Sequence, residues 1–334
     1  MATPEVMPNE MFEEIFQYIP SCDLYYGFYN LNSRINSILH HLHQWKFDLL
    51  YQCSIKHDCQ DLISKFNKQI IYLLMDANDF CLHFQSKNYI NLKSLVLLCE
   101  SITTNQLNEL VHQLGSLKQL TSLSLTLCCH ENYNYGQILL TIPTLKRYLL
   151  SGADYTKFKF ILPTTCIISN LEYMNIDPFS PNSINVIINQ LLNLKYLNVD
   201  IFEQLTPSLL TINKNLSLTY LRINIHTTNQ FDEFEIFVEY FPNLKHLSCC
   251  IYSPNDFNFI NDQRWQSLIT TKLINLKYFY CFIAHLESEI KEQAKTTLLS
   301  FQNEFWLQWN TKCVYDCENG SICIQTQNYD YDYD

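Results

Sequence analysis

The sequence predicts an α/β protein: a small N-terminal helical unit followed by a repeat solenoid with a parallel sheet along one side. Three observations predict it. A leucine-centred segment recurs eight times between Leu92 and Leu276. The stretches between these segments are long enough for a helix and two turns, and several carry apolar residues at helical spacing. Residues 7–40 lack the recurring segment and read with the helical period instead.

The repeat comes first, because it sets the architecture. The first leucine of each segment is Leu92 in NLKSLVL, Leu120 in QLTSLSL, Leu145 in TLKRYLL and Leu171 in NLEYMNI. Leu194 in NLKYLNV, Leu218 in SLTYLRI, Leu244 in NLKHLSC and Leu276 in NLKYFYC follow. Successive leucines lie 23 to 32 residues apart. Three positions on, each segment has a bulky residue: Leu95, Leu123, Tyr148, Met174, Leu197, Leu221, Leu247 or Phe279. Two further on stand Leu97, Leu125, Leu150, Ile176, Val199, Ile223, Cys249 and Cys281. Side chains alternate along a strand, so these two positions share one face, and that face is expected to be buried. A weaker earlier member starts at Ile70, with Leu73 and Met75 in register. Between strands, Leu107, Leu110, Val111 and Leu114 recur with the helical period, as do Phe234, Phe237, Val238 and Phe241. Units of one strand and one helix bury their apolar faces only by stacking on one another. The pattern resembles a degenerate leucine-rich repeat. It lacks the Asn or Cys that the full repeat carries after its strand segment, where Asp177, Asp200 and Asn224 sit close by.

The alternate positions face away from that core. One row holds Ser94, Ser122, Arg147, Tyr173, Tyr196, Tyr220, His246 and Tyr278; the next includes Asn175, Asn198, Arg222, Ser248 and Tyr280. Neighbouring strands lie about 4.8 Å apart, so each row stacks into a ladder, expected on the inner curve of the solenoid. Tyr and Arg dominate interface energetics, which makes Tyr173, Tyr196, Tyr220, Arg222, His246 and Tyr278 the candidate surface for a protein substrate. Stacked aromatics also stabilise adjacent strands, and the two roles are compatible. If the ladder is purely structural, the next candidates are the loops after the strands, around Asp177, Asp200 and Asn224.

The opening stretch MPNEMFEEIFQYIP puts Phe12, Ile15, Phe16 and Ile19 on one helix face, with Pro8 at the start and Pro20 at the stop. Ser21 or Asp23 then caps a second helical segment carrying Leu24, Phe28, Leu31, Ile35 and Leu39. So small a unit does not bury that much apolar surface by itself. Residues 7–40 resemble an F-box. Met7-Pro8 matches its opening apolar-Pro pair and Glu10 its acidic position. Ile15 to Ile19 match its apolar run, Asp23-Leu24 its D-L pair, and Asn32 and Arg34 its closing stretch. The resemblance implies a substrate-recognition subunit of a cullin–RING (SCF-type) ubiquitin ligase. Such a subunit docks on the Skp adaptor and carries no catalytic residue. Met7, Pro8, Phe12, Ile15, Phe16, Ile19 and Leu24 would make the adaptor contact. The alternative is a non-enzymatic repeat scaffold for protein–protein interaction whose N-terminal helices only cap the array.

Other function classes find little support. The net charge of -11 argues against a nucleic-acid partner. Only 5 glycines are present, and no phosphate-binding glycine motif, Walker A stretch or HExxH occurs. No secretory signal and no membrane-length apolar run is seen, so the 14 cysteines read as reduced thiols and the compartment as cytoplasmic or nuclear. His40, His41 and His43, with Cys53, His57 and Cys59, lack the spacing of a closed zinc site, so neither metal nor cofactor is expected. Cys313, Cys317 and Cys323 flank an Asn319-Gly320 turn and suggest a hairpin with inward thiols. Phe305, Trp306 and Trp309 are placed to close the last repeat. The expected division is an F-box-like helical domain over 1–45, a connecting helical segment over 46–65, the repeat array and its cap over 66–325, and a solvated acidic tail over 326–334.

Overall fold

The structure is a computed structural model. It describes residues 7–42, 44–49, 63–83, 88–99, 102–127, 133–152, 159–163, 168, 170–179, 189–205, 214–226, 230–252, 254, 256–284, 299–316 and 321–326. The chain divides into two compact units. The first is Met1–His130 with Ile138–Arg147, and the second is Glu131–Gln137 with Tyr148–Asp334.

The first unit opens with three short helices: α1 (Asn9–Phe16), α2 (Ser21–Phe28) and α3 (Ser33–His41). Phe12 and Phe16 face inward from α1, and Phe16 meets Phe28 with ring centroids 5.0 Å apart. Arg34 ties the start to the end: its Nε donates to Asn9 Oδ1 at 2.9 Å, its Nη2 donates to the Met7 carbonyl, and its guanidinium lies 5.5 Å from the Phe12 ring centre. The expected second helical segment is in fact two helices. Asn30 takes a left-handed φ of 66°, and the Asn32 side chain caps α3 by accepting from the Ile35 N–H at 2.8 Å. Neither Ser21 nor Asp23 caps α2. Pro20 occupies the N-cap position, and Ser21 Oγ instead accepts from the Lys46 N–H at 3.2 Å.

The repeat array begins earlier than the leucine pattern shows. Strand β1 (Trp45–Asp48) pairs in parallel with β2 (Ile70–Asp76), and Phe47 aligns with Leu73. The expected helical connector therefore starts as a strand; only residues 63–66 of it are described as helical, and 50–62 lie outside the described residues. Four residues carry too few positions to display the repeat signature, but Trp45 and Phe47 alternate inward as a strand requires. Then follow α4 (Ala77–His83), β3 (Ser94–Cys99), α5 (Thr104–Leu114), β4 (Ser122–Leu127), α6 (Gly136–Thr141) and β5 (Arg147–Ser151). Leu73, Leu95 and Leu123 form one buried row, and Leu97 and Leu125 extend another. A reciprocal capping box starts α5: Thr103 Oγ1 accepts from the Gln106 N–H, and Gln106 Oε1 accepts from the Thr103 N–H at 2.8 Å. That helix buries Leu107, Leu110, Val111 and Leu114, the face its sequence predicts.

The second unit, which takes in Tyr148–Ser151 of β5, continues with β6 (Tyr173–Phe179), β7 (Tyr196–Ile201), β8 (Tyr220–Ile225), α7 (Phe231–Val238), β9 (His246–Tyr252), α8 (Asp262–Thr271) and β10 (Tyr278–Ala284). These strands pair in parallel, in sequence order. Met174, Leu197, Leu221, Leu247 and Phe279 align across all five and are buried. Helices cover this side: Phe231 meets Trp265 edge-on at 5.0 Å, and Trp265 meets Phe279 at 5.0 Å. After α9 (Glu304–Gln308), β11 (Thr311–Asp316) and β12 (Ser321–Thr326) form a hairpin whose β12 pairs antiparallel with β10. The hairpin thiols are not its buried set: Ile322, Ile324 and Thr326 are, while Cys313 and Cys323 are half-buried on opposite faces and Cys317 lies outside the described residues. Of the expected capping aromatics, Trp306 alone is buried, against Phe301 and Phe279.

Between repeats, side chains ahead of each strand hold the backbone of the preceding turn. Asn243 Nδ2 donates to the Leu216 carbonyl at 2.7 Å, Asn275 Nδ2 to the Pro242 carbonyl at 3.2 Å, and Asn91 Nδ2 to the Lys68 carbonyl at 2.7 Å. The shorter Ser217 and Thr144 hydroxyls, at the same position, donate instead to the carbonyls of the preceding segments' first leucines, Leu194 and Leu120. The NLK signature thus carries its own polar stitching before the strand instead of after it.

Candidate functional site

The open face of the second unit's sheet gathers the substrate-surface residues that the sequence singles out. Tyr173, Tyr196, Tyr220, His246 and Tyr278 share one register row. Their rings stack at centroid distances of 4.1, 4.3, 5.4 and 4.3 Å, with interplanar angles of 10 to 22°. All five are half-buried. Stacking occupies the ring faces, and the Tyr196 hydroxyl bonds with its neighbours Tyr173 and Tyr220, so the row presents chiefly ring edges. Burial raises the Tyr196 phenol, helped by its neighbour Tyr173. Burial also lowers the His246 imidazole, and the cations Lys245 and Lys277 lower it further.

The next row is polar: Asn175, Asn198, Arg222 and Ser248 align in register. Asn198 Nδ2 donates to Asn175 Oδ1 at 3.2 Å. The third row brings Asp200 beside Asn224, whose Nδ2 donates to Asp200 Oδ1 at 2.7 Å. On β6, Asp177 occupies the corresponding outward position, and its carboxyl is pushed above the usual range by burial and by Asp200. Asp200 Oδ2 also lies 3.5 Å from His226 Nε2. So Asp177, Asp200 and Asn224, expected on loops, sit on strands and belong to the same face as the tyrosines.

A second aromatic row, missed in the sequence, closes this floor. Phe202, His226 and Tyr252 stack at 4.2 and 4.6 Å with interplanar angles of 2 and 5°. Each stands eight positions after its segment's first leucine. Extending the repeat alignment past the strand core would have revealed it.

The adaptor residues proposed from the F-box resemblance separate into two groups. Phe12, Phe16 and Leu24 are buried in the helical unit's own core. Ile15 is 43% exposed, Pro8 is exposed, and Met7 and Ile19 are half-buried. The large apolar side chains that reach solvent also include Met11 (47%), Tyr18 (84%), Tyr26 and Leu31 (65%), which motif matching did not single out. Met11, Ile15 and Tyr18 follow at helical spacing.

Among the described residues, no group of three or more His, Cys, Asp or Glu is arranged to hold a metal ion, and no helix is long and apolar enough to cross a membrane. His43, Cys53, His57 and Cys59 lie outside the described residues. Burial pushes the Cys250 thiol up to about 11 and Cys313 to about 12, and Cys281 rises as well, so these thiols are poor nucleophiles.

No family model and no curated protein matches the chain. Among solved structures, the leucine-rich repeat-containing protein LegL7 from Legionella pneumophila matches over 74% of this chain and 80% of its own, at 14% identity and a TM-score of 0.33. The chain's own strand register and burial define its class. It is an α/β protein with N-terminal helices and a leucine-rich-repeat-like array of mostly parallel strands.

Proposed function

We propose that this chain is the substrate-recognition subunit of a cullin–RING ubiquitin ligase, docking on the Skp adaptor through residues 7–40 and holding a target protein on the open sheet face of the second unit. The observation that supports it most is the apolar surface of the helical unit. Its core is already filled by Phe12, Phe16, Leu24, Ile35, Ile38 and Leu39, yet Met11, Ile15, Tyr18, Tyr26 and Leu31 remain exposed. Exposed large apolar side chains clustered on so small a unit are a common mark of a protein partner. The F-box resemblance says which partner.

The scaffold reading has an observation of its own. Within the first unit, Phe66 packs against Tyr25, Tyr29, His40 and Trp45, with Trp45 stacked on it at 4.3 Å. Helices α2 and α3 thus cover the first strand as a cap does. The two roles use different side chains, so capping leaves Met11, Ile15 and Tyr18 available.

The test is capture of purified Skp adaptor by the full chain. Ile15→Asp with Met11→Asp should abolish capture while the melting temperature stays within a few degrees, since both side chains are exposed; losing interface anchors costs about 2–4 kcal/mol of binding. Phe16→Ala is the wrong probe, because that ring is core. Undiminished capture by the double variant, or none by the unaltered chain, overturns the proposal.

A further inference from the structure

We infer that residues 327–334, QNYDYDYD, dock on the turn edge of the second unit, with their tyrosines along an exposed apolar row and their aspartates along the lysines beside it. The inference rests on neither the adaptor contact nor the target surface.

The repeat itself builds this edge. Leu192, Leu216, Pro242 and Ile274 each stand two residues before their segment's first leucine, so the turns ahead of β7, β8, β9 and β10 present one apolar residue apiece. Side-chain bonds hold these turns next to each other: Asn243 Nδ2 donates to the Leu216 carbonyl at 2.7 Å, and Asn275 Nδ2 to the Pro242 carbonyl at 3.2 Å. Leu192 is exposed, and Leu216 and Ile274 are 64% and 72% exposed. Single exposed leucines are ordinary, but a row of them on adjacent turns is a surface that a partner covers.

A second row runs alongside, one residue after each first leucine: Lys195, Thr219, Lys245 and Lys277. The backbone ladder reaches it, since the Lys277 N–H donates to the Lys245 carbonyl and the Lys245 N–H to the Thr219 carbonyl, both at 2.8 Å. Lys195 is paired with Glu172 at 2.6 Å. Lys245 and Lys277 are exposed, and among the described residues neither pairs with a carboxylate. The edge therefore has an apolar rail and a cationic rail, in a chain whose net charge is -11.

Residues 327–334 lie outside the described residues, and β12 fixes where they begin. That strand runs antiparallel to β10, and Thr326 Oγ1 accepts from the Phe279 N–H at 3.4 Å. Strand β12 thus ends beside Tyr278, pointing at Lys277 and the turn of Ile274. Eight residues reach up to about 26 Å when extended. The four turns span about 14 Å at the usual strand spacing, so the reach is sufficient. The pattern also fits. Tyr329, Tyr331 and Tyr333 alternate with Asp330, Asp332 and Asp334. Successive side chains of an extended chain point to opposite sides, so one side offers only rings and the other only carboxylates. Laid between the two rails, such a chain gives the apolar turns a cover and the two lysines their counter-charges. Tethering the segment to β12 raises its effective concentration at the edge above that of any free competitor.

The test places the photo-crosslinking residue p-benzoylphenylalanine at Tyr331 of the full-length chain and maps the crosslinked peptides by mass spectrometry. Crosslinks should form within one molecule, on the turns holding Leu216, Pro242 and Ile274. Lys245→Glu with Lys277→Glu should cut their yield at least about fivefold, because like charges then face each other. The melting temperature should stay within a few degrees, both lysines being exposed. Adding Asp330→Lys and Asp332→Lys to that variant should restore the yield, a recovery that a merely misfolded variant does not show. Crosslinks elsewhere in the chain, crosslinks only between two copies, no crosslink, an undiminished yield in the lysine variant, or no recovery on charge exchange each overturns the inference.

Discussion

At the scale of single residues, the tyrosine row stacks ring on ring across the strands. Each of Tyr196 and Tyr220 is sandwiched between neighbours, with rings as close as 4.1 Å and nearly parallel. Stacked aromatic pairs contribute about 0.5–1.5 kcal/mol each beyond area burial. Tyr196→Ser with Tyr220→Ser removes three such contacts, and should cost about 2 kcal/mol of stability by denaturant titration. A midpoint unchanged from the parent would show that the stack contributes nothing. The stacked geometry makes the row a strut between neighbouring strands. His246 in the middle of it is tuned by burial and by Lys245 and Lys277 to favour the neutral form. Its folded-state value lies below the unfolded value of 6.5, so the unfolded chain takes up the proton first. Its contribution to stability is complete above the unfolded value and is lost as pH falls through 6.5 toward the folded value. Replacing His246 by Asn should therefore make stability fall less steeply than in the parent as pH drops below 6.5; equal slopes would show that the site is not linked to folding. Asp177 has the opposite sign: its raised carboxyl penalises the folded state at high pH, and the penalty eases on acidification.

At the scale of elements, what was legible in the sequence was what repeats with a short period. Leucines at fixed offsets gave the strands and their buried face, because alternation is a local property of extended chain. The helix Thr104–Leu114 was legible from its apolar spacing. Strand Trp45–Asp48 was not, because two inward aromatics in four residues are compatible with a helix as well. The burial of Phe12, Phe16 and Leu24 was hidden for another reason: a motif records which residues recur, not whether they serve the unit's own core or its partner. The asparagines before the strands recur in the sequence, but their bonding is not visible in it. Their bonds run between side chain and backbone some 27 residues apart for Asn243 and Leu216, a distance that no local pattern reports. Asn243→Ala should cost about 1 kcal/mol, the net value of such a bond, and should raise amide exchange at the turn holding Leu216. Exchange unchanged at that turn would mean that the stitching is ornamental.

At the scale of the whole molecule, a stack of parallel strands raises the problem of its last edge. Strand β10 would present a row of unpaired backbone groups, and such edges invite association with other chains. The chain meets this by reversing direction. Strand β12 pairs antiparallel with β10 from Tyr280 to Ile283, and the short β11 becomes the edge, with Lys312 and Val314 outward. Beneath the hairpin, Trp306 fills the end of the core against Phe279 and Phe301. Stability in a repeat array is close to a sum of units and their interfaces, so a terminal cap matters beyond its own area. Two variants separate the cap's two functions. Trp306→Ala keeps the hairpin but opens a cavity, and should cost about 3–5 kcal/mol. Removing residues 299–334 uncovers the β10 edge as well, and should add concentration-dependent association to the loss of stability. Light scattering alongside thermal melting distinguishes them: the point variant should melt early yet remain monodisperse, while the truncated chain should associate before it melts. A truncated chain that stays monodisperse and melts with the parent would show that the array closes itself without the hairpin, and that β10 is guarded by something other than β12.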